Sequence, residues 1–525
     1  MSKIRQKIEK ARLPERGKRG FLTILFGRSS LIALLLVAQA VLLIGLFARW
    51  QFAYYAYGGV YALSAFMALY LINQPMNPST RQTWLILILL APILGSLLYF
   101  FVSMDIGHRL LRKRLEDIAY ETKPFLSRRD ELYRTMQQNE PELASLARYT
   151  YSHGGFPAYA NTHVDYYPSG ESKFTALLED LARAQSFIFM EYFIIDEGFM
   201  WDRILEILQR KVRQGVEVRV MYDGTCALFR LPYHYPDTLN ALGIQCKQFS
   251  PIRPLVSTHY NNRDHRKIVV VDGHTAYIGG VNLADEYINR KRLFGHWKDT
   301  AIRLQGEAVR SFTLMFLQMW HVSERAVDYK RYLDAPLPEF PPSEGYVIPY
   351  GDSPFDDERV GESVYLDIIN RARDYVHIMT PYLIIDGEMS TALRYAAKRG
   401  VDVRLILPHI PDKKSAFALA YTHYKELIRA GVRIYEYIPG FVHAKVFVSD
   451  DCKAVVGTIN LDYRSLYLHF ECAAYLYKTT IIPEIEADFQ DTQARCRLVT
   501  ETDVKNEKLY RRALGFLLKL FAPLM

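Results

Sequence analysis

Residues 265–282 read HRKIVVVDGHTAYIGGVN, and their pattern occurs a second time as HAKVFVSDDCKAVVGTIN at 443–460. Both copies read His-x-Lys-x4-Asp followed by a glycine and an asparagine, with the same interval from histidine to asparagine. Since side chains alternate along a strand, a histidine and a lysine two positions apart in an apolar run are expected to share one face. The glycine and the asparagine are expected at the turn that ends a second strand. The matched residues are His265, Lys267, Asp272, Gly280 and Asn282 in the first copy and His443, Lys445, Asp450, Gly457 and Asn460 in the second.

Each copy combines an imidazole, a fixed positive charge and an amide. A histidine can attack phosphorus and hold it covalently. Lysine and asparagine suit the oxygens of a phosphoryl group, whose charge must be stabilised in the transition state. One His-x-Lys pair could equally be the solvated edge of a strand. Two copies with the same spacing predict a phosphoryl-transfer site.

The segments around the two copies repeat as well, and they alternate between helix and strand. The first series has helical patterns at 170–184 and 200–215, and strand patterns at 186–195 and 216–223. The second has helical patterns at 361–375 and 389–400, and strand patterns at 376–385 and 401–408. GES, IID and the GVEVR/GVDVR pair recur at a period of about 180 to 190 residues, and Tyr192 matches Tyr382. We therefore predict a tandem duplication of an α/β domain, with a pseudo-twofold site between the halves.

Charge and cysteine usage restrict the class of protein. The 525 residues carry a net charge of +8, and the first 28 residues hold nine Lys or Arg against two Glu. The five dispersed cysteines, an odd number, argue against a disulfide framework and against a structural zinc site. We expect them to be buried apolar residues.

Three uncharged apolar stretches follow the basic tail, at about 30–48, 52–72 and 84–104. Each is long enough to cross a bilayer, and Trp84 and Tyr99 suit the membrane interface. We expect a multi-pass membrane protein whose soluble part is C-terminal. Basic residues lie before the first stretch and after the third, so three full spans cannot keep both clusters in the cytoplasm. The cysteines favour a cytoplasmic catalytic part.

The paired motif resembles the signature of the phospholipase D superfamily. The resemblance implies one shared site, in which one histidine becomes a phosphohistidine and the other protonates the leaving alcohol. By analogy His265 is the nucleophile. The resemblance also implies that Asp272 and Asp450, although part of the catalytic motif, stand behind the site and stabilise it, and that neither a metal nor another cofactor is needed.

Two acids outside the motifs are expected to support the histidines. A nucleophilic imidazole needs an acceptor at its other nitrogen, which fixes the tautomer and supports the cation. Relatives in the superfamily supply an acid after each motif. Here Asp299 follows His265 and Glu471 follows His443, with Glu286 as a competitor in the first half. Asn282 and Asn460 are expected to bind the phosphate.

Several strings narrow the resemblance to bacterial cardiolipin synthases: TWLILILLAPILGSLLYF, MEYFIIDEG, GVEVRVMYD and FAPLM. This implies condensation of two phosphatidylglycerols to cardiolipin and glycerol at an anionic membrane surface, in a bacterial inner membrane, without nucleic acid. A phospholipase D-type hydrolase, or a transphosphatidylase with another alcohol acceptor, would use the same residues. A nuclease is disfavoured by the apolar stretches, and a non-catalytic scaffold by the intact motifs.

The expected division is a basic tail at 1–29, transmembrane helices within 30–107 and a helical connector at 108–160. Two phospholipase D-like α/β domains follow, at 161–335 and 336–525. The second ends in an amphipathic helix, KNEKLYRRALGFLLKLFAPLM, which either packs on the domain or lies on the membrane surface.

Overall fold

A computed structural model describes residues 50–103, 106–251, 261–340 and 343–524. The basic tail and the first apolar stretch lie outside the described residues. The described chain divides into two compact units, one formed chiefly by its N-terminal helices up to Leu110 and the other by the rest of the chain.

The N-terminal unit contains α1 (Trp50–Ile72), α2 (Pro78–Leu90) and α3 (Pro92–Ser103). The predicted stretch at 52–72 falls within α1. The stretch at 84–104 does not form one helix, because Pro92 lacks a backbone N–H and disfavours helical geometry at Ala91 before it. Among the described residues, no helix combines the length and the apolar character needed to span a bilayer.

The predicted connector is helical. It comprises α4 (Ile106–Thr122), α5 (Asp130–Asn139) and α6 (Pro141–Ser152), with a short 3-10 turn at Lys123–Phe125 after α4. Tyr133 and Met136 of α5 pack into the outer core of the second half. From Leu111 onward, the connector therefore belongs to the larger unit.

The first half follows the predicted alternation of helix and strand. Its strand at 186–195 ends earlier than predicted, at Tyr192. The strands are β1 (Thr162–Tyr167), β2 (Phe187–Tyr192), β3 (Glu217–Asp223), β4 (Gln245–Phe249), β5 (Lys267–Val271), β6 (Thr275–Gly279), β7 (His296–Lys298) and β8 (Ala301–Gly306). The helices are α7 (Gly170–Arg183), α8 (Phe199–Arg213), α9 (Cys226–Phe229), α10 (Tyr235–Asn240), α11 (Val309–His321) and α12 (Tyr329–Leu333), with a 3-10 helix at Asp285–Ile288.

The second half repeats this order. The strand predicted at 376–385 is broken after Met379, just before the residues around Pro381, which cannot donate a ladder hydrogen bond. The strands are β9 (Tyr346–Asp352), β10 (Tyr375–Met379), β11 (Leu383–Ile384), β12 (Asp402–Pro408), β13 (Arg433–Tyr437), β14 (Gly440–Val442), β15 (Val446–Ser449), β16 (Lys453–Gly457), β17 (Leu461–Asp462), β18 (Glu471–Tyr477) and β19 (Cys496–Leu498). The helices are α13 (Val360–Arg371), α14 (Gly387–Lys398), α15 (Lys414–Arg429), α16 (Tyr463–Tyr467), α17 (Ile482–Gln493), α18 (Glu501–Asn506) and α19 (Leu509–Lys519), with a 3-10 turn at Ala522–Leu524.

The two large sheets have the same strand order. The first runs β1-β8-β6-β5-β2-β3-β4, and the second runs β9-β18-β16-β15-β10-β12-β13 with β19 added at its edge. In each sheet three neighbouring strands are parallel and the others are antiparallel. The duplication that the repeated strings predict is therefore present strand by strand.

Alternating side chains explain why the two sheets stack. Ile268 and Val270 of β5 belong to a core that also contains Val446 and Val448 of β15. The intervening Val269 packs with the helices on the outer side of the first sheet. This period of two places one apolar face of each sheet at the interface between the halves and the other under helices.

A small two-stranded sheet also joins the halves. β7 of the first half pairs in parallel with β14 of the second, with Trp297 opposite Phe441. Asp264 and Phe470 form the pseudo-twofold equivalent of this pairing, a single parallel β-bridge between the halves. Each of these contacts lies immediately before a motif histidine.

Candidate active site

The histidine and lysine of the first motif lie at the start of β5. Lys267 is the first residue of β5, and its Cα partner across the ladder is Tyr192, the last residue of β2. Because β5 runs antiparallel to β2, its start lies at the carboxyl edge of the parallel strands, where α/β sheets commonly bind ligands. His265 therefore precedes the strand, whereas the sequence pattern predicted it within one. His443 likewise precedes β15, which begins at Val446.

Each motif histidine is bound by an acid from the other half. Nδ1 of His265 lies 2.9 Å from Oε1 of Glu471, and Nδ1 of His443 lies 2.7 Å from Oδ2 of Asp299. All four residues are buried. The sequence placed Asp299 with the first motif and Glu471 with the second, and the structure exchanges these partners.

Backbone pairing between the halves causes the exchange. The N–H of His443 donates to the carbonyl of Lys298, the residue before Asp299, at 2.7 Å. The N–H of His265 donates to the carbonyl of Phe470, the residue before Glu471, at 2.9 Å. Each acid thus follows directly on the backbone that anchors the histidine of the opposite motif. The site cannot be complete in one half alone.

The two motif lysines are fixed by short contacts to their own motifs. Nζ of Lys267 donates to the carbonyl of His265 at 2.5 Å, and Nζ of Lys445 donates to the carbonyl of His443. Both lysine side chains are buried. This places two cationic groups beside the two imidazoles, where they can stabilise negative charge on phosphoryl oxygens.

Burial and neighbouring charge keep the imidazoles neutral. Burial, with the charge of Lys267 next, lowers the pKa of His265 well below its usual range. Burial, with the charge of Lys445 next, lowers the pKa of His443 to about 4. The charge of Lys445 also lowers the pKa of His265, and that of Lys267 lowers the pKa of His443, so the motifs act on each other across the halves. A neutral imidazole is the form that can attack phosphorus.

The same burial opposes charge on the groups around the imidazoles. It raises the pKa of Glu471 to about 8, against the opposing charge of Lys267. It lowers the pKa of Lys267 to about 8 and that of Lys445 to about 7. The site therefore holds several groups that titrate near neutrality, which is common where acid–base and nucleophilic chemistry occur together.

Comparison with protein families identifies the arrangement. The family model described as "Cardiolipin synthase, PLD-like domain" matches residues 177–320 and 365–492, which is one match in each half. The chain belongs to this family. A second model, described as "Phospholipase_D-nuclease N-terminal", matches residues 62–103 of the cardiolipin synthase-like chain.

Similar proteins cover nearly the whole chain. A protein of Streptococcus mutans named only as uncharacterized is 52% identical over 457 residues, which is 87% of this chain and 99% of that protein. "Cardiolipin synthase 2" of Bacillus cereus is 34% identical over 474 residues, or 89% of this chain and 91% of that one. "Cardiolipin synthase" of Geobacillus kaustophilus is 32% identical over 463 residues, or 88% of this chain and 92% of that one.

One solved structure supports the fold independently. The phosphatidylserine synthase of Haemophilus influenzae aligns with a TM-score of 0.54 at 16% identity, over 72% of this chain and 97% of that one. At this identity the likeness speaks for the fold alone. Together with the family match, it establishes two tandem phospholipase D-like α/β domains with mixed sheets.

The two motif asparagines of this family member differ in their surroundings. Oδ1 of Asn282 accepts a hydrogen bond from the backbone N–H of Ile194 at 3.0 Å, and its Nδ2 donates to the hydroxyl of Tyr287 at 2.7 Å. Oδ1 of Asn460 is buried and has no hydrogen-bond partner in the described part of the chain. Asn282 is thus committed to the fold, and Asn460 has a free acceptor within the site region.

The motif aspartates lie at the far end of the strands that begin in the site. Asp272 follows β5 and accepts from the backbone N–H groups of Gln185, Ser186 and Phe187 at 2.7 to 2.9 Å. Asp450 follows β15 and accepts from those of Arg373, Asp374 and Tyr375 at 3.0 Å.

Both aspartates have a left-handed backbone, with φ of 52° and 53°, which Asp tolerates better than most residues. Their carboxylates bind the backbone at the start of the neighbouring strands, β2 and β10, and make no hydrogen bond to the motif histidines. The supporting role that the resemblance implies for the aspartates stays a prediction.

Glu286, the competitor for the first acid, is paired with another residue and not with a motif histidine. Its carboxylate forms an ion pair with Arg230 at 2.9 Å.

The structural equivalence of the motif glycines differs by one residue from the sequence pattern, which matched Gly280 with Gly457. The equivalent strands β6 and β16 end at Gly279 and Gly457. Gly280 therefore corresponds to Thr458, whose hydroxyl donates to the carboxylate of Glu471. A Cβ at Gly280 would overlap the carboxylate of Asp299.

His469 is a site residue that the sequence reasoning missed. Its ring lies 5.5 Å from that of His265, it is buried, and neither ring nitrogen has a hydrogen-bond partner among the described residues. The corresponding position in the first half, two before the acid, is Trp297, which packs 5.4 Å from His443. Aligning the halves on their acids would have exposed this difference.

His469 also completes a set of possible metal ligands. Ligand atoms of His265, His469 and Glu471 lie within 4.8 Å of one another, and no other such group occurs in the described residues. Two imidazoles and a carboxylate suit zinc. Nδ1 of His265 already lies 2.9 Å from Oε1 of Glu471, so a metal bound through that nitrogen and this carboxylate would replace the hydrogen bond between them.

Proposed function

We propose that this protein is a cardiolipin synthase, a phosphatidyltransferase that converts two phosphatidylglycerols into cardiolipin and glycerol. The observation that carries the proposal is the crossed pairing of His265 with Glu471 and His443 with Asp299. It provides two neutral imidazoles, each with a fixed tautomer, at one site. Family membership and relatives named cardiolipin synthase over about nine-tenths of the chain support the substrate.

In the first half-reaction, Nε2 of His265 attacks the phosphorus of a phosphatidylglycerol. An N–P bond forms and the bond to the glycerol headgroup oxygen breaks, while His443 delivers a proton to the departing glycerol. Burial and the lysine charges depress the pKa of His443 in the free enzyme. The anionic diester offsets the lysine charges, so His443 takes up a proton at Nε2 when substrate binds and can then deliver it to the glycerol oxygen. Glu471 stabilises the positive charge that forms on the attacking imidazole.

In the second half-reaction, the terminal hydroxyl of another phosphatidylglycerol attacks the phosphohistidine. His443 removes the proton from this hydroxyl, a P–O bond forms and the N–P bond breaks. Cardiolipin leaves and both histidines return to their starting state. Transfer exceeds hydrolysis only if the acceptor alcohol is held close and water is limited.

The charged groups have separate roles in this proposal. Lys267 and Lys445 stabilise the equatorial phosphoryl oxygens. Asn460 adds a neutral contact, in which Nδ2 donates to the phosphate or Oδ1 accepts from a glycerol hydroxyl. Asn282 positions the backbone after β2 through Ile194. Asp272 and Asp450 hold the motif strands in place. The reaction needs no metal, because the imidazoles and lysines supply the nucleophile, the proton and the positive charge.

We also propose that the enzyme works at a bacterial inner membrane. Three apolar stretches in series and the basic residues around them support a multi-pass anchor, and the free cysteines favour a cytoplasmic catalytic part. Phosphatidylglycerol would be drawn from the same bilayer. The anionic surface would also concentrate a protein of net positive charge.

The direct assay uses purified full-length protein with phosphatidylglycerol labelled separately in the headgroup and in an acyl chain. One labelled glycerol should be released for each cardiolipin formed. Phosphatidic acid as the main product would assign the hydrolase activity instead. Transfer to an added alcohol in preference to phosphatidylglycerol would assign a general transphosphatidylase.

A further inference from the structure

The C-terminal helix α19 packs on the catalytic unit through one narrow side. Gly515 is its buried residue, and a Cβ at this position would overlap the carbonyl of Ala418 on α15. Leu518, one turn further on, packs into a small cluster with Ala416 and Leu419 of α15. These contacts settle which side of α19 faces the protein.

The side that faces away from the protein is apolar. Leu509 is 79% exposed, Tyr510 61%, Phe516 78% and Leu517 62%. At about 100° per residue, all four lie on the arc opposite Gly515. A helix on a water-soluble surface normally shows the reverse pattern, with its polar side outward. A contiguous exposed apolar surface of this kind indicates a binding partner.

Basic residues border the apolar arc. Lys508, Arg512 and Lys519 are exposed, and they lie between the docked side and the apolar side of the helix. Arg511 lies on the docked side, about 40° from Gly515, and forms an ion pair with Glu507 at 3.2 Å. Long basic side chains beside an apolar strip suit a surface that is apolar inside and anionic outside.

The helix is also placed close to the active site. α15, on which it packs, contributes Ala416 and Ala420 to a cavity that Tyr382 and Phe441 also line. The ring of Phe441 lies 5.9 Å from that of His443. A surface that held α19 would therefore also lie near this cavity and the catalytic unit around it.

We propose that α19 lies in the interfacial layer of an anionic phospholipid bilayer and seats the active site at the lipid surface. Leu509, Phe516 and Leu517 enter the boundary of the acyl chains, while the bordering lysines and arginines reach the phosphates. This inference rests on the proposed function for its meaning, since the bilayer also holds the phospholipid substrate. The binding itself does not depend on which reaction the site performs.

Photocrosslinking tests the occupant of the apolar arc directly. Full-length protein carrying Phe516→p-benzoylphenylalanine is reconstituted in vesicles of phosphatidylglycerol and phosphatidylethanolamine with radiolabelled phospholipid. The matched control is Tyr395→p-benzoylphenylalanine, because Tyr395 is an exposed aromatic residue on another helix, α14. We expect several times more lipid adduct at 516 than at 395. Chain-to-chain adducts would assign the arc to a second copy, adducts within the chain would assign it to another segment, and equal labelling at both positions would assign it to solvent; each would overturn the proposal.

Activity in two lipid environments provides a second test. The double variant Phe516→Asp/Leu517→Asp should lose about tenfold or more of its activity on vesicles, because charge on the inserted face opposes burial in the interface. Its activity on phosphatidylglycerol dispersed in detergent should stay within about twofold of the parent, as should Tyr395→Asp in both environments. Equal losses in vesicles and detergent would indicate a packing role and contradict the proposal. Absence of cardiolipin synthesis in every variant would refute the proposed function, yet the crosslinking result would still decide the position of α19.

Discussion

Nδ1 of His443 and Oδ2 of Asp299 lie 2.7 Å apart although 144 residues separate them and they belong to different halves of the duplicated fold. The mirrored pair, His265 and Glu471, is separated by 206 residues. Neither half therefore contains a complete catalytic pair. The duplication produces one active site in place of two.

The two histidines should be jointly essential. His265→Ala and His443→Ala should each lower kcat by about a thousandfold or more, and the double variant should be hardly worse than either single variant, because both residues serve one reaction cycle. Cardiolipin formation by each purified variant measures this, with His234→Ala as the control for an exposed histidine. Substantial activity in one single variant would contradict a shared site.

Substitution of Glu471 and substitution of Asp299 should block different steps of the reaction. Glu471→Gln should prevent phosphohistidine formation, since it removes the group that stabilises the His265 cation. Asp299→Asn should still allow phosphohistidine to form from a substrate with a good leaving group, which needs no proton from His443. Acid quenching, followed by mapping of the labelled phosphohistidine, measures both. Labelling at His443 in place of His265 would reverse the assignment of nucleophile and acid.

Activity should fall on the alkaline side of neutrality. Burial lowers the pKa of Lys445 to about 7 and that of Lys267 to about 8, so these lysines lose their protons as the pH rises through this range. The active form has both lysines protonated and Glu471 ionised, and burial raises the pKa of Glu471 to about 8. The profile of kcat/KM, which reports the free enzyme, should therefore pass through a maximum at about pH 7 to 8 and decline above it. A pH profile of kcat/KM checks this, and in Lys445→Met the remaining activity should lack the lower of the two transitions. A flat profile up to pH 9 or beyond, at about full activity, would contradict the assigned charge state.

The motif aspartates should matter for stability more than for chemistry. Asp272→Asn keeps a side chain that tolerates the left-handed backbone but weakens three hydrogen bonds to backbone N–H groups, and it should cost about 2 kcal/mol. Thermal unfolding of the variant should begin at a lower temperature, while kcat per folded molecule stays close to that of the parent. Asp357→Asn is the matched control, because the side chain of Asp357 is 96% exposed and its ion pair with Arg112 is long, at 3.7 Å. A large fall in kcat without loss of stability would place Asp272 in the chemistry.

Chelation should leave the reaction intact. The proposed nucleophile, acid and positive charges are all side chains, so activity should survive exhaustive treatment with a chelator. Divalent ions could still change the rate through the anionic lipid surface. Complete loss of activity on chelation, restored by one ion alone, would overturn the mechanism and direct attention to His265, His469 and Glu471.

The sequence predicts much of the fold because its signals are local and repeated. Helices and strands follow from hydrophobic periodicity, and the predicted segments around GES170 and GVEVR fall within a few residues of α7 and β3. The repeated strings predict the duplication, which the matching strand orders confirm. The break in the helix before Pro92 also has a sequence signal, since proline removes a backbone donor. The prediction of one stretch at 84–104 followed the apolar character of the segment and not this proline.

What the sequence could not supply is the exchange of partners between the halves. In chain order Asp299 follows the motif of His265. In the structure the backbone hydrogen bond from His443 to Lys298 places Asp299 beside His443. Such pairings depend on how two distant segments meet and leave no trace in local periodicity. The same holds for Asn282, whose amide looks available in the motif but is occupied by Ile194 and Tyr287.

The reverse reaction distinguishes phosphatidyl transfer between alcohols from hydrolysis. Because both half-reactions share one phosphohistidine, enzyme supplied with cardiolipin and excess labelled glycerol should produce labelled phosphatidylglycerol. Neither His265→Ala nor His443→Ala should do so. Phosphatidic acid without incorporation of labelled glycerol would contradict phosphatidyl transfer between alcohols and leave hydrolysis as the activity.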